Sequence, residues 1–103
     1  MYDKFIADRL AQLRHVKEMS ARDMSLSMGQ NENYINQIEN QKMLPSMQTF
    51  FYICEFLEIT PQEFFDEFNP YPERLKELIE ELKKLDAESL SCITGLTKLL
   101  NKK

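Results

Sequence analysis

The 103-residue chain has little of what builds sheets, spans membranes or supports most chemistry. It holds two glycines, two cysteines and a single histidine. Two glycines, six methionines and no strand-like alternation of apolar with polar residues predict an all-α fold. No apolar run approaches the ~18–20 residues that a membrane span needs. The N-terminus, MYDKFIADRL, lacks the positive-then-apolar layout of a signal peptide. A cytoplasmic chain with no membrane partner is therefore expected. Cys54 lies in the apolar run FFYICEFL and reads as a small core residue, and Cys92 is far from it. Neither has a paired ligand spacing, which excludes a disulfide framework and a cysteine metal site. His15 has no metal-type partner and reads as a solvated helix residue. There is no Gly-rich phosphate loop, and the carboxylates scatter along polar faces. Glu80 with Lys83 and Lys84, for example, has ordinary helical i, i+3 and i, i+4 spacing. Neither an enzyme nor a cofactor or metal is expected.

What is present fits one domain, or one compact domain with an appendage. A chain of this size buries roughly two-thirds of its unfolded surface, enough for a small core with little room for a deep substrate pocket. Charge is unevenly divided. Residues 1–69 carry six Lys and Arg against eleven Asp and Glu, a net −5, whereas residues 70–103 carry seven against six, a net +1.

Residues 20–39, SARDMSLSMGQNENYINQIE, are the most informative stretch. They read as two short helices joined by a tight turn at Gly29-Gln30-Asn31. Met24 and Met28 form an apolar i, i+4 pair on the first helix, and Ile35 and Ile38 an i, i+3 pair on the second. At about 100° per residue, Tyr34, Ile35, Ile38 and Glu39 share one arc of the second helix. Glu32, Asn33, Asn36 and Gln37 share the other. One apolar face and one amide-rich face, docked on a short partner helix, suit insertion into a DNA major groove. Asn and Gln can bond a base edge as donor and acceptor at once.

The run from Arg9 to Phe65 resembles the Cro and phage-repressor type helix-turn-helix domain, often called the XRE family. Carrying the resemblance are Arg14 in the first helix, Gly29 in the turn, and Tyr34-Ile35 then Ile38-Glu39 in the recognition helix. Lys42 and Pro45-Ser46 follow, and then Ile59-Thr60-Pro61 with Phe64-Phe65. It covers a little over half of the chain. It implies a small transcriptional regulator that binds double-stranded DNA, and a five-helix domain for residues 1–69. Three positions depart from the pattern. Ala21 stands where similar proteins have a phosphate-bracing Gln, a role that neighbouring Arg22 can take. Gln41 and Glu58 stand where the family favours Gly, and Gly or Asn; each is expected to carry about 1 kcal/mol of strain if its φ is positive.

Helix geometry and the resemblance together assign the DNA contacts. Asn33 and Gln37, four residues apart on the open face, are expected to read base edges, and amides suit adenine. Glu32 either accepts from a cytosine amino group or repels phosphates. Asn36 and Asn40 suit phosphate or sugar contact, while Asn31 and Lys42 bracket the helix and anchor the DNA backbone. Glu39, at the edge of the inward arc, needs a charge partner. Arg14 supplies it in a pairing that similar proteins also make, so the two read as a structural ion pair. The net −5 sits awkwardly with DNA, because binders gain affinity by neutralising phosphates. Either the cations gather on the DNA face (Arg22, Lys42 and Lys17), or binding is modest, or the motif has been turned to binding protein.

Around this motif, a first helix over about Asp3 to Glu18 carries Phe5, Ile6, Leu10, Leu13 and Val16 inward. Ser20 caps helix two and Asn31 helix three. Ser46 caps a fourth helix to about Leu57, and Thr60-Pro61 opens a fifth that ends near Phe68. Asn69-Pro70-Tyr71-Pro72 marks a boundary. Beyond it, residues 70–103 are expected to form a helical hairpin. Leu75, Leu78, Ile79, Leu82 and Leu85 lie before an Asp86 cap, and Leu90, Ile93, Leu96 and Leu100 after it. This leucine stripe reads as a homodimer interface, which would place two heads on a short palindromic operator. The alternative is a protein-interaction module, or an antitoxin-like adaptor, whose hairpin holds a protein partner.

Overall fold

The structure, a computed structural model, describes residues 2–66 and 69–102. Among them it contains seven helices and no strand. These are α1 (Tyr2–Val16), α2 (Ala21–Ser27), α3 (Tyr34–Glu39), α4 (Met47–Phe56), α5 (Pro61–Phe64), α6 (Pro72–Leu82) and α7 (Ala87–Asn101). The chain divides into two units, Met1–Pro72 and Glu73–Lys103. The all-α architecture, with a helix-turn-helix domain followed by C-terminal helices, is as expected.

Side-chain caps start the helices where the sequence places them. Ser20 accepts the Asp23 N–H at 3.0 Å, Ser46 that of Thr49 at 3.1 Å, and Asp86 that of Ser89 at 2.8 Å. Thr60 and Glu63 form a complete capping box, with Pro61 as the first helical residue. α3 differs. Asn31 takes the Asn33 N–H at 2.8 Å within a turn, and the regular helix opens only at Tyr34, with no side-chain cap from Asn33.

α1 to α4 all end in the same way. The residue after each C-cap adopts positive φ: Glu18 (57°), Gly29 (75°), Gln41 (61°) and Glu58 (60°). In each case its N–H and the next one return to the helix. Gln41 donates to the Ile38 carbonyl at 3.0 Å and Lys42 to that of Gln37 at 2.9 Å; Glu58 and Ile59 donate to Glu55 and Cys54. This is the Schellman closure, which satisfies carbonyls that the helix end would orphan. Gln41 and Glu58 thus meet the condition for strain, a positive φ, and Glu18 adds a third such residue.

One core fills the first unit. It is built from Leu10 and Leu13 of α1, Met24 and Met28, Ile35 and Ile38 of α3, and Phe50, Ile53, Cys54 and Leu57 of and after α4. Ile59 and Phe64 close it. Burial pushes the Cys54 thiol up to about 11, as befits a core cysteine. Phe50 lies edge-on to Phe64 with ring centroids 5.0 Å apart, and Phe65 stacks on Phe5 at 6.0 Å. Val16 departs from the expected inward stripe and is exposed, because α1 ends there and its chain turns at Glu18. The fifth helix stops at Phe64, four residues before the expected end; Phe68 lies outside the described residues.

The second unit holds α6 from its second residue, Glu73, onward, then a turn over residues 83–86, and α7. Leu85 falls in that turn and belongs to neither helix. No residue of α7 is buried.

Candidate nucleic-acid interface

α3 has only six residues, too few to hold their shape alone, so its neighbours must fix it. Ser25, fully buried on α2, does so directly. Its hydroxyl donates to the Ala21 carbonyl at 2.8 Å and accepts the Ile35 N–H at 2.9 Å. The bond satisfies a first-turn donor of α3 from across the turn, the role that Asn33 leaves unfilled. Ile35 and Ile38 are buried beneath the helix and Tyr34 is half-buried. At the far end Glu39 receives Arg14 through two parallel bonds, Nε to Oε2 and Nη2 to Oε1, both 2.8 Å. Arg14 Nη1 also donates to the Met19 carbonyl at 2.8 Å. Each side chain of the pair is 12% exposed, and the bond to Glu39 raises the Arg14 pKa. Arg14 and Glu39 thus form the structural ion pair that their positions imply, tying α3 to α1.

With its inner face fixed, α3 turns Asn36 and Gln37 to solvent, as it does Asn33 before it and Asn40 after it. Glu32 and Lys42 flank this row and are also exposed. The side chains differ in how far they are committed. Asn40 donates to Asn36 at 3.0 Å, Asn31 is held in its turn, and Arg22 Nε bonds Glu32 at 3.1 Å. Among the described residues, the side chains of Asn33, Gln37 and Lys42 have no hydrogen bond or ion pair.

The cations of the first unit are mostly occupied. Lys4 bonds Asp8 at 2.7 Å, Lys17 lies 3.7 Å from Glu58, and Arg14 and Arg22 are paired as described. Arg9 is buried. Its Nε and Nη2 donate to the carbonyls of Phe64 and Glu63 at 2.6 and 2.7 Å, and Nη1 to that of Asn69 at 2.5 Å. Desolvation lowers its pKa, against an opposing pull from Asp66. Lys17, which one of the three readings of the charge places with Arg22 and Lys42, lies beside Glu58 in the turn after α4.

Glu32 and Asn33, expected on one arc of the second helix, lie just before it, so of the free amides only Gln37 is on the outer face of α3 and Asn33 is at its N-cap. Two short helices set by a buried hydroxyl in this way form a helix-turn-helix. Residues 9–68, more than half of the chain, match the Cro/C1-type HTH DNA-binding domain. The chain belongs to this Cro/C1-type family. No curated protein and no solved structure matches it. Membership makes it a DNA-binding regulator, in a family that is typically non-enzymatic. Among the described residues no helix is long and apolar enough to cross a membrane. The Cro/C1-type domain covers the braced α2–α3 pair and every expected DNA-contact residue, and stops short of the C-terminal helices.

On those helices, α6 carries Leu75, Leu78, Ile79 and Leu82, and α7 carries Leu90, Ile93, Leu96 and Leu100. All but Leu82 are exposed, as is Leu85 in the turn. Leu99, which the stripe does not include, is the most exposed leucine of all at 63%. On a helical projection the α6 leucines span an arc of about 100°. The α7 arc, from Leu90 through Ile93 and Leu96 to Cys92 and Leu99, spans about half of the helix. The hydroxyls of Ser91, Thr94 and Thr97 donate to the Ala87, Leu90 and Ile93 carbonyls of the same helix.

Sequence reasoning missed Ser25 and Arg9. The sequence assigns neither a role, since a serine or an arginine in a helix is most often at the surface. The available signal was spacing: Ser25 and Arg9 lie among the buried positions Met24, Met28, Leu10 and Leu13 of their helices.

Proposed function

We propose that this regulator acts in the cytoplasm as a homodimer on a short palindromic operator, with Asn33 and Gln37 reading adenine edges in the major groove. The observation that carries the reading is a pair of uncommitted, exposed amides, Asn33 at the N-cap and Gln37 on the outer face of a braced recognition helix. Each can donate and accept at once, the pattern that adenine offers. Lys42 and Arg22 serve phosphates, and Asn31, Asn36 and Asn40 line the same surface without reading sequence.

Dimerisation through residues 70–103 is supported by exposure and charge. A patch of half-exposed leucines of this extent normally marks an interaction site. The half-apolar girth of α7 is wider than one neighbour needs, and its hydroxyl donors are satisfied internally, so burial leaves few orphaned groups. The C-terminal part is near neutral, whereas two copies of the first part, each at −5, repel. Two heads on one axis would read half-sites about 34 Å apart.

The acidic head favours a second reading, in which the leucine-bearing helices hold a protein partner and DNA contact is secondary. Selection of duplexes from a random pool by the wild type, Asn33→Ala and Gln37→Ala separates the two. Each substitution should weaken binding to the wild-type sequence by ~1–3 kcal/mol and relax preference at its own base pair. Unchanged preference in both variants would remove these residues as readers.

A further inference from the structure

The Arg22–Glu32 pair poses a problem of sign. Glu32 places a negative charge on the surface that faces DNA in the proposed reading, where it should repel phosphates. The pair is well exposed, Arg22 at 67% and Glu32 at 51%, and exposed pairs contribute little to stability. Its geometry is more informative. The contact joins Glu32 Oε2 to Arg22 Nε, at 3.1 Å, across the turn between α2 and α3. Nε is the inner nitrogen of the guanidinium. A carboxylate held there leaves the terminal Nη1 and Nη2 amino groups as an outward fork, the arrangement that grips two phosphate oxygens at once. Arg22 is the second residue of α2, and of the six Lys and Arg of the first unit only it and Lys42 lie on the helix-turn-helix face without being anchored to the domain body.

We propose that Glu32 is a positioning residue for Arg22, fixing the guanidinium so that its terminal amino groups clamp a DNA phosphate. A free arginine side chain on a surface gives up rotamer freedom when it binds, and the Glu32 bond removes part of that loss in advance. This rests on the reading of α3 as the DNA-reading helix. It explains why an acid is tolerated there: its repulsion is smaller than the gain from a pre-set arginine.

The test is one of sign. Full-length wild type, Glu32→Ala, Glu32→Gln, Arg22→Ala and the Arg22→Ala/Glu32→Ala double variant are titrated onto the duplex that the wild type selects, across a salt series. Glu32→Ala should bind about two- to fivefold more weakly even though it removes a negative charge from the DNA face, and its salt slope should flatten toward that of Arg22→Ala. Glu32→Gln should fall between it and wild type. In the Arg22→Ala background, Glu32→Ala should lose nothing further, or tighten binding, since only repulsion remains. Unchanged melting temperatures would separate these losses from misfolding. Tighter binding by Glu32→Ala alone, or an equal loss with and without Arg22, would overturn the proposal while leaving the DNA reading intact. A wild type that binds no duplex would overturn both.

Discussion

Arg14 and Glu39 illustrate how two side chains can set the pose of a whole recognition surface. Both are largely sheltered and joined by two parallel bonds, with the third Arg14 nitrogen spent on the Met19 carbonyl. Removing either partner strands the other charge in a desolvated place, which costs ~3 kcal/mol, at the low end for a buried pair. Arg14→Ala and Glu39→Ala should therefore each lower stability by about that much while changing sequence preference little. Denaturant melts of the singles and the double give the coupling, and a value near zero would mean that the pair does not bear on the fold. This pair was legible in the sequence because Glu39 sits at the edge of an apolar arc, where an acid needs an explanation. Ser25 was not. A serine is unremarkable in a helix, and its task, capping the next helix through the Ile35 N–H, exists only once the two helices are docked.

Among the elements, starts were more legible than ends. Ser20, Ser46, Thr60 and Asp86 cap through their own side chains, a local chemistry written in the residue itself. Ends depend on backbone geometry and on distant partners. α5 stops after four residues, and the carbonyls of Glu63 and Phe64 at its end pass to Arg9, more than fifty residues earlier in the chain, which no local pattern reveals. The Schellman closures are intermediate, since glycine marks only one of four. Gln41, Glu58 and Glu18 hold positive φ with a Cβ in place, at a cost that glycine avoids. Gln41→Gly should thus stabilise the domain by up to ~1 kcal/mol. Gly29→Ala should destabilise it by a similar amount even though the added methyl meets open space. Paired chemical melts check both, and a destabilised Gln41→Gly would show that the closure is not strained.

At the scale of the whole molecule, an acidic head and a near-neutral, leucine-rich tail divide the work that the proposal requires. A chain shortened to end at Pro72 should be a folded monomer, and the full chain a dimer by light scattering; a full chain that stays monomeric at high concentration would favour the protein-partner reading. Loss of the tail should also weaken operator binding steeply, because two linked heads raise each other's effective concentration. The oligomeric state was the least legible feature, since an exposed leucine stripe names no occupant. The charge puzzle, by contrast, resolves into arithmetic on this fold. In the proposed reading each head offers Lys42 and the free end of Arg22 to phosphates, so a dimer would release about four counterions and its log K should fall with log salt at a slope of about −4 or shallower. The most direct measurement is therefore the affinity of the full chain for its selected duplex and for mixed-sequence DNA, from low to physiological salt. The selected duplex should be preferred at every salt concentration, with that shallow slope. Binding of neither DNA, even at the lowest salt, would contradict it.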